Sequence, residues 1–134
     1  MTIYVNGHYL SKENAKISVT DRSYLFGEGL FESFRSYNGK IPFLESHLNR
    51  LEWSCTFLGF EFPIEEDFLE ICETLIEKNE IEDARFKIVL SRQDNSEDAK
   101  TPDYSYNITV QCDDLKSIPI NDTYKLRTAK NFLN

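Results

Sequence analysis

Residues 20–50 read TDRSYLFGEGLFESFRSYNGKIPFLESHLNR, and this stretch predicts the central elements of the fold. A glycine-containing turn is followed by a strand at residues 30–37. Asn38-Gly39 then predicts a tight hairpin turn into a second strand at residues 41–43, because type I′ turns need positive φ at both central positions. A helix is expected from about residue 45 to residue 58, ending at Gly59. Every functional hypothesis for the chain starts from these elements.

The strand at residues 30–37 alternates between two mixed faces. One face carries Leu30, Glu32, Phe34 and Ser36, and the other carries Phe31, Ser33, Arg35 and Tyr37. A plain half-buried strand has one apolar and one polar face. Since neither face here is purely apolar, the pattern favours a strand that lines a site or an interface.

The predicted helix has one apolar stripe, formed by Leu44, Leu48, Leu51, Cys55 and Leu58. Arg50 lies off that stripe, on the side of Phe57 and, less closely, Trp53. The usual role of an arginine on a helix flank is a solvated surface charge. A guanidinium sheltered by such neighbours instead requires an anion, and its planar fork suits a carboxylate or a phosphate.

Outside this stretch the patterns predict more strands than helices. Strand-like patterns occupy residues 3–10, which Asn6-Gly7 folds into a hairpin, and residues 16–19, 85–91, 104–111 and 124–128. Thr20 or Asp21 is expected to cap a short turn at residues 22–26. Pro63 suits the first turn of a second helix, whose apolar positions are Phe68, Ile71, Cys72 and Leu75. These elements predict an α+β fold: one domain over residues 1–134, with a largely antiparallel sheet and helices packed to one side.

Composition argues against several classes of function. The net charge of −8 opposes a nucleic-acid or anionic-membrane surface, since both demand clustered Lys and Arg. The three cysteines form no CxxC pair and predict buried free thiols in a reducing compartment. No apolar leader follows Met1, so a cytoplasmic location is expected. No metal site is predicted, because the histidines are far apart and the cysteines lack ligand spacing.

Two blocks together resemble a known family. Residues 21–35 (DRSYLFGEGLFESFR), followed at the right separation by residues 47–51 (HLNRL), are similar to the N-terminal domain of fold-type IV pyridoxal-phosphate enzymes. That family includes branched-chain and D-amino-acid aminotransferases and aminodeoxychorismate lyase. The resemblance implies pyridoxal 5′-phosphate as cofactor, an amino acid and a 2-oxo acid or aminodeoxychorismate as substrates, and a homodimer.

The resemblance also implies roles for individual residues. Arg50 stands at the family's cofactor-phosphate arginine, and Phe31, Glu32 and Arg35 fall on the strand that lines the substrate pocket. For Phe31 the alternative is core packing, and for Glu32 and Arg35 it is a cross-strand or interface pair. Arg92, in the pair Ser91-Arg92, matches an arginine that holds a substrate carboxylate in some members. The loop after it departs from the family pattern.

The family's chemistry also needs a lysine that bonds covalently to the cofactor. It normally lies three or four residues before an Asn that is followed by Tyr, Phe or Arg and then Leu. In RTAKNFLN the Asn of that motif would be Asn131, and Lys130 is misplaced from the lysine position by two or three residues. The catalytic lysine is therefore expected beyond Asn134, in a second domain, which leaves these 134 residues inactive alone. As a complete protein, the chain is expected to be a class IV aminotransferase. The alternatives are aminodeoxychorismate lyase and a non-catalytic dimerisation or binding module.

Overall fold

The computed structural model describes residues 1–94, 104–115 and Lys125. Over these residues the chain forms five strands and three helices: β1 (Thr2–Val5), β2 (His8–Ser11), α1 (Arg22–Phe26), β3 (Gly29–Arg35), α2 (Leu44–Leu58), α3 (Phe68–Asn79), β4 (Ala84–Asp94) and β5 (Tyr104–Asp114). The strands make one sheet in the order β2-β1-β5-β4-β3, and all their pairings are antiparallel. The predicted α+β fold with an antiparallel sheet is confirmed.

Helices α2 and α3 pack on one face of this sheet, here called the inner face. Alternate residues of the strands point into that contact and bury the core: Phe34, Phe86, Ile88, Leu90, Ile108 and Val110 from the sheet, with Leu51, Cys55, Ile71, Cys72 and Leu75 from the helices. The opposite side is called the outer face. Because β3 is an edge strand and α2 packs beside it, residues of β3 and α2 meet at the border of the core.

The turn predictions are confirmed by the backbone angles. Asn6 and Gly7 have φ of 46° and 85° between β1 and β2, and Asn38 and Gly39 have φ of 48° and 73°. The second turn closes only an isolated bridge between Tyr37 and Lys40, so residues 41–43 form no strand. Asn-Gly therefore predicted both reversals correctly but not the length of the pairing around them.

Two predicted elements are wrong. Residues 16–19 are not a strand: the Ser18 side chain accepts from the Thr20 N–H and its carbonyl oxygen from the Asp21 N–H, which folds the segment into a turn. The second helix does not begin at Pro63. It begins after Asp67, whose carboxylate accepts from the Glu70 N–H at 3.0 Å, so a side-chain cap and not the proline sets the start of α3.

Three further predictions concern Leu58, the cysteines and residues 124–128. Leu58 ends the predicted apolar stripe of α2 but is 45% exposed. All three cysteines are free and buried, as predicted. Burial, with a smaller effect of Glu52, raises the pKa of the Cys55 thiol to about 11. Of the extended segment predicted at residues 124–128 only Lys125 is described, and it lies outside helices and strands.

Candidate functional site

Strand β3 sends its predicted site residues to opposite faces of the sheet. Glu32 lies on the inner face and is 5% exposed, whereas Phe31 lies on the outer face and is 63% exposed. Arg35 shares the outer face and is half-buried. Core packing is therefore the wrong alternative for Phe31, and Glu32 and Arg35 cannot pair with each other across the sheet.

The carboxylate of Glu32 is bound by the guanidinium of Arg50. Arg50 Nε donates to Oε1 and Nη2 donates to Oε2, both at 2.5 Å. The side chain of Arg50 is nevertheless 63% exposed. The arginine is thus held by an anion of the chain itself on one edge while much of its surface faces solvent.

His47 completes this group, and sequence reasoning had given it no role. Its Nδ1 lies 2.9 Å from Glu32 Oε2 and 3.4 Å from Arg50 Nη2. Arg50 can only donate and an ionised Glu32 can only accept, so Nδ1 cannot make both hydrogen bonds at once. The shorter contact assigns Nδ1–H as donor to Glu32, and the 3.4 Å approach of Arg50 Nη2 is then not a hydrogen bond. The spacing of His47 and Arg50, three residues apart on one helix, is the signal that could have linked them.

The charges in this group have opposing effects. Burial raises the pKa of Glu32, but hydrogen bonds from Arg50 and His47 and the charge of Arg50 act against it, and the net result is a pKa below the ordinary 4.5. The same pair raises the pKa of Arg50. Glu32 is therefore ionised at neutral pH, and the pair is a true carboxylate–guanidinium interaction.

A shallow groove on the outer face surrounds Phe31. It is lined by Phe31, Ser33, Arg85, Lys87, Gln111 and Asp113. Lys87 Nζ lies 4.6 Å from the centre of the Phe31 ring, a cation–π distance. Arg35 is the register partner of Arg85 on the same face. Arg85 Nη2 in turn lies 3.4 Å from Asp113 Oδ2. The groove therefore combines an exposed aromatic ring with cations, of which Arg85 is paired with a carboxylate.

Arg92 lies outside both clusters and has partners of its own. Its Nη2 donates to the carbonyl oxygens of Leu58 at 3.1 Å and Gly59 at 3.3 Å. Its Nη1 is 3.5 Å from Glu28 Oε2, and its guanidinium lies 4.6 Å from the centre of the Phe60 ring. A cation suits the carbonyl end of a helix. These contacts tie β4 to the end of α2, and the substrate contact expected of Arg92 stays a prediction.

Arg22 and Glu28 form a second bidentate pair across the turn that follows α1. Arg22 Nε and Nη2 each donate to a Glu28 oxygen at 2.8 Å. The two side chains are 23% and 30% exposed, so both partners are covered to a similar extent. Arg22 also lies over the ring of Phe26 at 4.8 Å. This pair holds the turn between α1 and β3.

Two glycines make that turn possible for different reasons. Gly27 ends α1 in the left-handed region, with φ of 73°. At Gly29 a Cβ would lie 2.5 Å from Ser23 Oγ and 3.0 Å from the Leu90 carbonyl oxygen. Gly29 is thus required by the close approach of α1 to β4.

Asp21 is buried at the start of α1 and takes four hydrogen bonds. Oδ1 accepts from the N–H groups of Ser23 and Tyr24 at 2.9 and 3.2 Å, which confirms the predicted cap and selects Asp21 over Thr20. Oδ2 accepts from Ser91 Oγ at 2.7 Å and Asn107 Nδ2 at 2.8 Å. These two partners are 70 and 86 residues away, so no local pattern could have revealed them.

Lys130 lies outside the described residues. Within the described part of the chain, no group of three or more His, Cys, Asp or Glu side chains could hold a metal ion. None of the helices found there is long and apolar enough to cross a membrane.

Comparison with known proteins gives a consistent result. The profile of the family described as amino-transferase class IV matches residues 29–133. A D-alanine aminotransferase of Staphylococcus aureus is 34% identical over 91 residues, covering 67% of this chain and 32% of that protein. An aminodeoxychorismate lyase of Bacillus subtilis is 36% identical over 90 residues, covering 66% of this chain and 31% of that protein.

Solved structures extend the similarity to three dimensions. The branched-chain amino acid aminotransferase of Escherichia coli superimposes with a TM-score of 0.73 at 26% identity. The match covers 85% of this chain and 41% of that one. The matched region thus spans about a third of the two curated relatives. The profile match over most of its residues shows that this chain belongs to the amino-transferase class IV family.

Proposed function

We propose that this chain supplies the phosphate-binding and substrate-facing wall of a pyridoxal 5′-phosphate-dependent aminotransferase, which transfers an amino group between an amino acid and a 2-oxo acid. The observation that carries the proposal is the half-engaged guanidinium of Arg50. Family membership and the aminotransferase names of its relatives support the same assignment.

The donor chemistry of Arg50 fits the cofactor phosphate. Nε and Nη2 bind Glu32, and among the described residues no group bonds to Nη1. The outer edge of the guanidinium can therefore donate to the oxygens of a phosphate, which is the anion that suits a planar fork. When bound, pyridoxal 5′-phosphate supplies an electron sink for the carbanion formed from the substrate. Arg50 binds and orients it through the phosphate alone.

The outer face of β3 suits a substrate. Phe31 is exposed beside Lys87 and Arg85, and Arg35 lies in register with Arg85. These cations can bind a substrate carboxylate, and the ring of Phe31 can contact its apolar part. We therefore retain Phe31 and Arg35 as substrate-facing residues. Glu32 points away from this face, and we assign it to Arg50 instead.

Arg92 has a structural role, because its guanidinium joins the end of α2 to β4. Its guanidinium contacts two carbonyl oxygens at the end of α2 as well as Glu28. A substrate carboxylate would have to compete with these partners. The contacts therefore support a role in holding α2 against β4 in preference to substrate binding.

The phosphate role is tested with two ligands that differ only in the phosphate, pyridoxine 5′-phosphate and pyridoxine. Neither carries an aldehyde, so lysine side chains form no imine with them. We expect tighter binding of the phosphorylated compound, and Arg50→Ala should weaken it by roughly tenfold or more while pyridoxine is unaffected. Lys78→Ala, which removes an exposed cation on α3, is the control and should change neither affinity. If the Arg50→Ala chain and the unsubstituted chain bind pyridoxine 5′-phosphate with equal affinity, the proposal that Arg50 binds the phosphate is wrong.

The expected inactivity of the isolated 134 residues has its own test. With pyridoxal 5′-phosphate they should catalyse no amino transfer, since none of their lysines lies three or four residues before an Asn that is followed by Tyr, Phe or Arg and then Leu. Borohydride reduction followed by peptide mapping should find no preferred lysine. Cofactor trapped selectively on Lys130 would contradict this expectation and place the catalytic lysine there.

Aminodeoxychorismate lyase is the second candidate, favoured by the 36% identity to the Bacillus subtilis enzyme of that name. The two activities differ in their products. An aminotransferase makes a new amino acid from a 2-oxo acid, whereas a lyase consumes aminodeoxychorismate without needing an amino acceptor. Assaying both reactions with a protein that carries this chain and the cofactor-bound lysine separates them.

A further inference from the structure

The Arg50–Glu32 pair is unequal in burial. The carboxylate is 5% exposed and the arginine side chain 63% exposed, although the two are joined by two hydrogen bonds of 2.5 Å. An exposed arginine on a helix normally samples many rotamers, because each of its torsions is free in water. Here Glu32, fixed in a buried strand, holds both Nε and Nη2 and so fixes the plane of the guanidinium.

His47 extends this support into the core. It donates to the same Glu32 oxygen that Nη2 binds, at 2.9 Å. Its ring lies against Phe34, with centroids 5.3 Å apart, and Phe34 stacks on Phe86 at 5.4 Å. Core packing thus fixes the imidazole, the imidazole fixes the carboxylate, and the carboxylate fixes the arginine.

We propose that Glu32 and His47 are positioning residues that pre-orient Arg50 for the cofactor phosphate. This inference rests on the proposed function, since it assumes that Arg50 binds the phosphate. Glu32 occupies the inner edge of the fork and leaves Nη1 on the outer edge. A phosphate arriving there meets donors already in place, so little side-chain entropy is lost on binding. Neither residue contacts the phosphate itself.

The chain contains a matched control in the Arg22–Glu28 pair. It has the same side-on geometry, with both hydrogen bonds at 2.8 Å, but its two partners are similarly covered. Glu28→Gln therefore removes a charge from a bidentate pair without touching Arg50. An effect on phosphate binding that is specific to Glu32 then comes from its contacts with Arg50 and His47 and not from the loss of a charge in general.

The experiment titrates the 134-residue chain and its Glu32→Gln, His47→Phe, Glu28→Gln and Arg50→Ala variants with pyridoxine 5′-phosphate. Binding is followed by the ¹⁵N–¹H signals of the arginine Nε–H groups, and thermal unfolding checks that each variant is folded. The amide introduced by Glu32→Gln keeps the shape of the side chain but accepts only one of the two guanidinium bonds. We expect Glu32→Gln to weaken binding roughly three- to tenfold, His47→Phe to weaken it less, and Glu28→Gln to leave it unchanged.

The Arg50 Nε–H signal gives a second readout that a purely structural role would not move. It should be resolved and slow to exchange in the unsubstituted chain, and should broaden in Glu32→Gln even though the backbone spectrum is retained. If Arg50→Ala abolishes binding while folded Glu32→Gln binds as the unsubstituted chain does, the positioning inference is wrong and the phosphate role survives. If pyridoxine 5′-phosphate does not shift the Arg50 Nε–H signal of the unsubstituted chain, both the positioning inference and the phosphate role of Arg50 are wrong.

Discussion

Two bidentate arginine–glutamate pairs among the described residues share one geometry and differ in what surrounds them. Arg22 and Glu28 lie six residues apart, are covered to a similar degree, and brace the turn between α1 and β3. Arg50 and Glu32 lie 18 residues apart and join α2 to β3, with the glutamate buried and the arginine exposed. The first pair holds a turn together, whereas the second holds a cation toward solvent.

The contrast shows that the role of an ion pair depends on the burial of each partner and not on the distance between them alone. Two similarly covered partners stabilise a turn modestly. A buried carboxylate with an exposed guanidinium leaves part of the positive charge available to another anion. We therefore expect changes near the first pair to act on stability, and changes at the second to act on binding as well.

The largest loss of stability is expected next to the first pair, at Asp21. Asp21→Ala removes the acceptor of four hydrogen bonds and leaves Ser91, Asn107 and two helix N–H groups without it. We expect a loss of roughly 2–4 kcal/mol in the free energy of unfolding, measured by urea denaturation.

Asp67→Ala is the matched control for Asp21, because Asp67 caps α3 from an exposed position with one hydrogen bond. Its loss should cost only about 1 kcal/mol. Equal effects of the two substitutions would mean that the buried contacts of Asp21 with β4 and β5 contribute nothing to the free energy of unfolding. The expectation that changes near the first pair act on stability would then be wrong.

The intermediate effect is expected at Glu32 and depends on pH. Its folded-state pKa lies below the ordinary 4.5, so its stabilising effect is present above that value and is lost as pH falls through the folded pKa. Glu32→Gln should lower the free energy of unfolding by about 1–2 kcal/mol at neutral pH. Urea denaturation from neutral pH to about pH 3 should show this difference shrinking with acid. A difference that stays constant over that range would show that the charge of Glu32 contributes nothing.

The smallest effect is expected at Glu28. Because both partners of the Arg22–Glu28 pair are partly solvated, Glu28→Gln should cost less than about 1 kcal/mol. Adding about 0.5 M NaCl should reduce that cost further, since salt screens partly exposed charges. If Glu28→Gln lowered the free energy of unfolding more than Glu32→Gln does, the Arg22–Glu28 pair would stabilise the fold more than the Arg50–Glu32 pair, contrary to this expectation.

Much of the fold could be predicted from local patterns. Asn6-Gly7 and Asn38-Gly39 specify reversals because positive φ is required there, and the apolar stripes specify helices α2 and α3. The strand predicted at residues 16–19 was wrong because strand propensity takes no account of hydrogen bonds from the backbone to a nearby hydroxyl, which here stabilise a turn. Of the site, the sequence and its family resemblance indicated Arg50 and the importance of β3, but not the partner of either.

Sequence alone places Phe31 and Glu32 on opposite faces of β3, because side chains alternate along any strand. Which face is inside depends on tertiary packing, since each face of β3 has one phenylalanine and one charged residue. Packing of α2 on the Phe34 side placed Glu32 under Arg50 and left Phe31 exposed. The same holds for Arg92 and Asp21, whose partners are 34 and 70 residues away. Local sequence patterns describe residues only a few positions apart. Contacts between residues as distant in sequence as these form only when the sheet has formed.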